Sequence, residues 1–452
     1  MRVDFYHLQR GFNFHKFAYP IMLDVLRVWA ESAGWEPRIS ICQESNVDLD
    51  TEADVVGFSV YTQTAPAIYR AADELRKRGK VVFLGGPHFR GSSTVAEAAP
   101  HCDVIAGSLC EDQMRELLAE VRSGSIRSGQ PARVVRDREG RFRYPRNFYQ
   151  SLRNRRWFQI PTISTSLGCP YDCDFCAAYM QGEYHLRDIE TVRNEVASVP
   201  GKLILFSDAS FGLNRSYTLE LMDALAPLEK KIAVETTLAR LRDPTLLAAL
   251  AHGGVRWLVV GVETLDLKLR KHGSVDLEQS LGEVIDRSHA LGMMVQGNFI
   301  CGLDGERPDS FAKVHDYYVG STLDAIMIGI VTPYPDTGLY RRLDREGRIF
   351  DRDWSHYDGH HVVYRPDRMS VDDLIDGYIE LYGSIRRYRS FGREVVQSLR
   401  AHGVGLESLS MVGNNLYQKF DSLKKERHLR RNQRMLAQTS LHLTGESAPG
   451  LV

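Results

Sequence analysis

The segment Gly168-Cys169-Pro170-Tyr171-Asp172-Cys173-Asp174-Phe175-Cys176 sets three cysteines in a C-x3-C-x2-C spacing. It follows a short run, Thr162-Ile163-Ser164-Thr165, that reads as a strand, so the cysteines fall on a loop at a strand end. Three thiolates on one tight loop can bind three irons of a [4Fe-4S] cluster and leave the fourth iron without a protein ligand. S-adenosylmethionine can chelate that open iron through its amino and carboxylate groups. Its sulfonium then lies where an electron from the cluster breaks a carbon-sulfur bond, giving a 5′-deoxyadenosyl radical able to abstract unactivated hydrogens. Two other readings use the same residues: a zinc site completed by His185, or three buried structural thiols. Zinc sites more often present two separated C-x2-C pairs, and the chain has no second pair, which favours the cluster.

The elements that position this loop are read from the surrounding pattern. From Pro161 to about Tyr340, strands are expected at Thr162–Thr165, Leu203–Phe206, Ile232–Glu235, Trp257–Val260, Met294–Ile300 and Ala325–Ile330, with helical stretches such as Leu277–Ala290 between them. About six such units suit a partial (β/α)6 barrel with its chemistry at the C-terminal rim. Nearer the N-terminus, strands are expected at Ala53–Val60, Lys80–Leu84 and Cys102–Gly107, and helices at Ala65–Arg78, near Ser93–Ala99 and at Glu111–Arg122. That alternation indicates a doubly wound parallel sheet, whose binding crevice lies beyond the strand C-termini. The stretch from Arg122 to about Arg156 is rich in Arg, Gly and Ser and reads as a linker, and beyond Asp351 the chain reads as helical and polar. The expected organisation is therefore α/β, with domains at 1–145, 146–350 and a mostly helical 351–452.

With Phe175 before its last cysteine, the C-x3-C-x-(aromatic)-C pattern resembles the signature of the radical S-adenosylmethionine superfamily. The segments Phe206-Ser207-Asp208-Ala209-Ser210-Phe211, Gly261-Val262-Glu263-Thr264, Gly297-Asn298-Phe299-Ile300-Cys301-Gly302 and Thr332-Pro333-Tyr334-Pro335-Asp336-Thr337 resemble strand-end motifs of the subgroup with an N-terminal cobalamin-binding domain. The resemblance covers roughly Asp54 to Ser370 and implies a cobalamin-binding-like Rossmann domain followed by a radical SAM partial barrel. It also implies that Phe175 packs near the adenine and that Asp208, Glu235, Ile300 and Thr332 hold S-adenosylmethionine. Two departures stand out: Asp336 occupies a position where Gly is usual after Pro-Tyr-Pro, and no Gly-Gly-Glu follows the second barrel strand.

Gly85-Gly86-Pro87-His88 and Val104-Ile105-Ala106-Gly107 resemble the cobalamin-binding half of the same subgroup. Gly85, Gly86 and Gly107 would allow close backbone approach to a corrinoid, and Tyr61, Thr62, Gln63 and Thr64, which follow the first strand, are the candidates to face the cobalt. The D-x-H-x2-G pattern that supplies a histidine to cobalt is absent: Gly86 stands where its Asp would be in Gly86-Pro87-His88-Phe89-Arg90-Gly91. No histidine is therefore expected on the lower face. Gly107-Ser108-Leu109-Cys110-Glu111 replaces the usual Gly-Glu-Gly-Glu, and an empty Rossmann-like accessory domain is the alternative.

The rest of the composition narrows the function class. The 452 residues carry 57 Lys and Arg against 58 Asp and Glu, a net charge of −1, so no global field draws the chain to nucleic acid or to an anionic membrane. A hydrophobic content of 43% excludes a disordered or fibrous protein. No apolar run approaches the roughly 18 residues needed to span a bilayer, and no secretion signal is evident, so membrane insertion is not expected and a cytoplasmic location is. The remaining cysteines, Cys42, Cys102, Cys110 and Cys301, read as buried thiols, Cys301 drawing notice because it ends a strand. The basic run from Lys424 to Arg434 lacks interleaved aromatics and reads as a solvated helix face. Trp354, His356, Tyr357, His360, His361 and Tyr364 could line a substrate pocket or pack on the barrel. The implied activity is cobalamin-dependent methylation of a small-molecule carbon with electrons from a flavodoxin or ferredoxin. The alternatives are a non-methylating radical reaction, such as a rearrangement, cyclisation, oxidation or sulfur insertion, and a zinc-stabilised binding protein.

Overall fold

Apolar runs and turn residues divide the chain into strands and helices much as their spacing predicts. A computed structural model describes residues 1–9, 20–137, 142, 144–145, 160–176, 184–266 and 277–385. It comprises two compact units. The first joins Met1–Ala209 to Pro333–Arg342 and Asp353–Tyr357; the second joins Ser210–Thr332 to Leu343–Arg352 and to the chain from Asp358 onward. The basic run from Lys424 to Arg434 and the remainder of the expected helical region beyond residue 385 lie outside the described residues.

In the first unit, β1 (Arg2–Leu8), β2 (Glu36–Cys42), β3 (Val55–Ser59), β4 (Val81–Gly85), β5 (Val104–Ala106) and β6 (Arg133–Val135) form a parallel sheet in the order β2-β1-β3-β4-β5-β6. Tyr6, Phe58, Val82, Leu84 and Ile105 from the strands pack with Ile68, Ala72 and Leu75 of the helix Ala65–Lys77 into one buried core. That helix carries Pro66 in its first turn and Arg76 and Lys77 in its last, as the backbone dipole favours. The expected linker contributes an edge strand, β6, whose Val134 is exposed. Farther along, β7 (Thr162–Ile163) pairs in parallel with β10 (Leu203–Phe206). Between them in sequence, β8 (Ser166–Leu167) and β9 (His185–Leu186) form an antiparallel pair, with Leu167 opposite His185.

In the second unit, β11 (Lys231–Thr237), β12 (Val255–Glu263), β13 (Met294–Cys301) and β14 (Ala325–Ile330) run parallel in the order β14-β13-β12-β11. The helices Pro244–His252, Leu277–Ala290 and Asp309–Gly320 alternate with them and bury apolar stripes such as Leu246, Leu247 and Leu250. Parallel strands are usually apolar on both faces. Here Ile232, Val234, Leu258, Val260, Val295, Phe299, Ile326 and Ile328 are buried, whereas the alternate positions Glu235, Gln296, Asn298, Ile300 and Met327 are partly or fully open. One face of this sheet is thus built to meet something other than a hydrophobic core. Beyond Asp351 the described chain has a short turn of helix at Trp354–His356, a bridge from Tyr364 to Ile349, and the helix Val371–Ile385. Among the described residues, no helix is long and apolar enough to cross a membrane.

Candidate active site

The cysteine loop is fixed at both ends. On its N-terminal side, the buried Asp208 carboxylate accepts from Thr165 N (3.1 Å to either oxygen), Thr165 Oγ1 (2.9 Å), Ser166 N (2.5 Å) and Ser166 Oγ (2.5 Å). Burial pushes the Asp208 carboxyl upward, against these donors, which favour the ionised form. Gly168, next to Cys169, has φ of 72°, the left-handed turn that starts the loop. On the other side, the Asp174 carbonyl accepts from Leu339 N (2.8 Å), and its carboxylate lies 3.4 Å from Arg342 Nη2. A Cβ at Gly338 would overlap the Asp174 carboxylate, so any other residue at the start of the helix Gly338–Arg345 would displace that carboxylate.

Cys169, Cys173 and Cys176 are partly buried and form no disulfide among the described residues, and Cys176 N donates to Cys173 O at 3.0 Å. Phe175 is partly buried between Asp174 and Cys176. The partly buried Arg90 guanidinium interacts electrostatically with Cys176, Tyr61 and Tyr334, and burial pushes its pKa below the ordinary arginine value. Among the described residues, no carboxylate forms an ion pair with Arg90 and no three metal-ligating side chains converge on one ion. A mononuclear zinc site requires that convergence, whereas a cubane places each thiolate on a different iron. A loop of three thiols, one of which interacts with the Arg90 guanidinium, suits an anionic iron-sulfur cluster.

The expected cobalamin-facing residues gather at the C-terminal ends of β3, β4 and β5. Burial raises the Tyr61 hydroxyl to about 12. Thr62 Oγ1 lies 3.2 Å from His88 Nδ1, and His88 Nε2 lies 3.2 Å from Tyr69 Oη. Burial lowers His88 to about 3, so the ring is neutral and both of its nitrogens are engaged. Gln63 follows in the same turn, Thr62–Thr64. The glycines answer a local need: at Gly86 (φ 117°) a Cβ would lie 2.7 Å from Val60 O, at Gly85 3.2 Å from Ala106 O, and at Gly107 3.2 Å from Phe89 O. The departure at Cys110 also has a local reason, since Cys110 caps the helix Glu111–Ser123 and its N–H donates to Gln113 Oε1 at 3.1 Å.

In the second unit, the other expected contacts lie at the ends of the open-faced sheet. Glu235 stands on that face, and desolvation raises its carboxyl. The loop before it docks on β11 through Phe211 N to Glu235 O (2.7 Å) and Thr236 Oγ1 to Phe211 O (2.8 Å). Val259 separates Glu235 from Gln296 in register, and Gln296 Nε2 donates to Asn298 Oδ1 at 2.8 Å. Ile300 is partly open at the end of β13, where the buried Glu306 carboxylate accepts from Gly302 N (2.8 Å) and Thr264 Oγ1 (2.8 Å). Thr332 is buried and its hydroxyl is engaged, donating to Ile330 O (3.2 Å) and accepting from Gly359 N (3.1 Å). Cys301 is buried, and its thiol pKa is pushed well up.

Residues 163–318 match the sequence profile of the Radical SAM superfamily. The matched span is a radical SAM domain that takes in the cysteine loop and about a third of the chain. The chain is 25% identical over 364 residues to bacteriochlorophyllide d C-8(2)-methyltransferase of Chlorobaculum tepidum, covering 74% of this chain and 79% of that protein. The same organism's bacteriochlorophyllide d C-12(1)-methyltransferase is 25% identical over 342 residues, covering 73% of this chain and 74% of that protein. The fold is shared with the radical S-adenosylmethionine methyltransferase TsrM of Kitasatospora setae, solved with cobalamin and a [4Fe-4S] cluster bound. The TM-score is 0.58 at 18% identity, over 76% of this chain and 78% of that one. The domain match and the methyltransferase relatives support a radical SAM enzyme. Its chemistry uses a [4Fe-4S] cluster and S-adenosylmethionine.

Several residues of the site carry no signal in a single sequence. Asp174 and Arg342 are 168 positions apart. Arg90 reads as an ordinary loop arginine until burial brings it into electrostatic interaction with Cys176. Gln296 and Asn298 were detectable in principle, as polar residues two apart in a strand otherwise fit for burial on both faces.

Proposed function

We propose that the chain is a cobalamin-dependent methyltransferase that modifies a carbon of a small molecule, with domains at 1–145, 146–350 and 351–452, the second a partial barrel. One observation carries the reading: the cysteine loop and the β3 and β4 end loops belong to one compact unit, with Arg90 of the β4 loop interacting electrostatically with Cys176. The resemblance to two methyltransferases over about three quarters of the chain supports methyl transfer as the outcome.

Cys169, Cys173 and Cys176 would hold the cluster, and Tyr61, Thr62, Gln63, Gly85, Gly86 and Gly107 would border the corrinoid. Bound there, the two groups supply a 5′-deoxyadenosyl radical from one S-adenosylmethionine and a carrier for the methyl group of another. Phe175, Glu235, Ile300 and Thr332 would bind S-adenosylmethionine, Glu235 by its carboxylate and Thr332 by shaping the end of β14. Asp208 would act through the cysteine loop, since its carboxylate is occupied by Thr165 and Ser166. His88 would not serve as a cobalt ligand, since both of its ring nitrogens are engaged by Thr62 and Tyr69. A flavodoxin or ferredoxin would supply electrons.

Metal analysis of anaerobically purified protein, reconstituted with iron and sulfide and grown with cobalamin, tests the reading. About four irons and about one cobalt per chain are expected. The same iron with no cobalt would sink methyl transfer and leave a non-methylating radical reaction.

A further inference from the structure

We infer that Asp336 is a positioning residue: it anchors a strut that holds the cysteine loop at a fixed place against the N-terminal sheet domain. The inference rests on the cluster assignment above and concerns the first unit alone.

The strut is the segment Pro333–Arg342, which packs with the first unit although its flanking residues belong to the second. Asp336 has φ of 62°, a left-handed conformation that an aspartate adopts only when something compensates. The compensation is visible. Its carboxylate accepts from Ser93 N at 3.1 Å and Ser93 Oγ at 2.7 Å, in the first turn of the helix Ser92–Ala98. The neighbouring Gly91 has no Cβ to obstruct this approach; one placed there would overlap the Asp336 carboxylate. One helical turn later, Glu97 accepts from Trp354 Nε1 at 2.9 Å to each oxygen, so two segments remote in sequence grip the same helix face. Trp354 also packs on Tyr340 of the strut (5.8 Å between rings) and on His88 (6.1 Å).

The far end of the strut holds the cysteine loop through Leu339 N to Asp174 O and Arg342 to Asp174. Its middle is rigid: Thr337 Oγ1 donates to Tyr334 O (2.6 Å) and accepts from Tyr340 N (3.1 Å), while the Asp336 carbonyl accepts from Arg341 Nη1 (2.6 Å). Asp336, bonded to the N-terminal domain, thus lies three positions from Leu339 and six from Arg342, which are bonded to the loop that carries Cys173 and Cys176. Reactive groups misplaced by about 1 Å can lose roughly a hundredfold in rate, which gives such a brace a purpose.

The test reads a distance and needs neither substrate nor corrinoid. In the full chain with Cys42→Ser and with Glu116→Cys carrying a nitroxide on the exposed side of Glu111–Ser123, pulsed EPR measures the separation between the label and the reduced cluster. D336G keeps the backbone conformation and removes the carboxylate, and D336N retains an oxygen acceptor. The expected result is one narrow distance in the parent, loss of that peak to a broad distribution in D336G, and its recovery in D336N. R342M leaves the bond from Leu339 N to Asp174 O in place and should broaden the distribution less than D336G does. A narrow distance unchanged in D336G, with iron content intact, would overturn the inference. Absence of cobalt from the protein would contradict the methyltransferase reading and leave this measurement standing.

Discussion

Asp208 Oδ1 lies 2.5 Å from both the N–H and the hydroxyl of Ser166, three residues before Cys169, so the end of one strand sets the start of the cysteine loop. Asp208→Ala would leave the Thr165 and Ser166 N–H groups buried without acceptors. Each such orphan costs about 1–3 kcal/mol. The expected result is a stability loss of roughly 2–4 kcal/mol and poor iron incorporation, read by thermal unfolding and iron analysis. Unchanged iron content in this variant would refute the positioning role.

Arg90 should set the reduction potential of the cluster. A fixed positive charge in a poorly solvated site stabilises the more negative, reduced state. Arg90→Met is expected to lower the reduced-to-oxidised ratio at a fixed potential about tenfold, roughly 59 mV for one electron. Arg90→Lys should recover most of that. Potentiometric titration followed by EPR makes the measurement, and coincident curves for all three proteins would exclude the role.

At Gly86, φ of 117° and a Cβ position 2.7 Å from Val60 O forbid a side chain. Gly86→Ala should destabilise the N-terminal domain by roughly 2–5 kcal/mol, from strain and overpacking together. Denaturant unfolding tests it; a midpoint equal to that of the parent would show that the β4 loop yields.

The His289 ring lies 2.8 Å from Asp324 Oδ2, and this hydrogen bond raises the histidine pKa in the folded chain, against the opposing effect of burial. Because the folded value exceeds the unfolded one, the stabilisation is fully present below about pH 6.5 and is lost as pH rises through the folded value. Stability to thermal unfolding of the parent should therefore fall as pH rises above about 6.5, and His289→Gln should flatten that slope. An equal slope in both proteins would assign it to other groups.

The strands that were legible in sequence are those whose apolar runs are continuous, such as Leu203–Phe206 and Ala325–Ile330, found with those bounds. β1 was illegible because Asp4 and His7 interrupt it with polar side chains, yet both are buried. Asp4 is tolerated there because Arg38 Nη2 and Thr51 Oγ1 each approach its carboxylate at 2.6 Å, from residues 34 and 47 positions away. The edge strand Arg133–Val135 read as linker since it is three residues long and half solvated. At the site, the cysteine spacing alone pointed to the chemistry. The partners of Asp208, Asp174 and Asp336 were invisible, because each is a hydrogen bond or ion pair between segments far apart in the chain. Asp336 shows the limit well: as a departure from a usual Gly it looked like a weakened contact, and in the fold its carboxylate makes a new one to Ser93.

Product analysis tests methyl transfer most directly. The chain, loaded with iron-sulfur cluster and cobalamin, is incubated anaerobically with S-adenosylmethionine and a low-potential reductant, and S-adenosylhomocysteine and 5′-deoxyadenosine are quantified together. The account predicts both products, with S-adenosylhomocysteine requiring the corrinoid and 5′-deoxyadenosine abolished when Cys169, Cys173 and Cys176 are replaced by Ala. Release of 5′-deoxyadenosine alone, with the corrinoid bound, would contradict it.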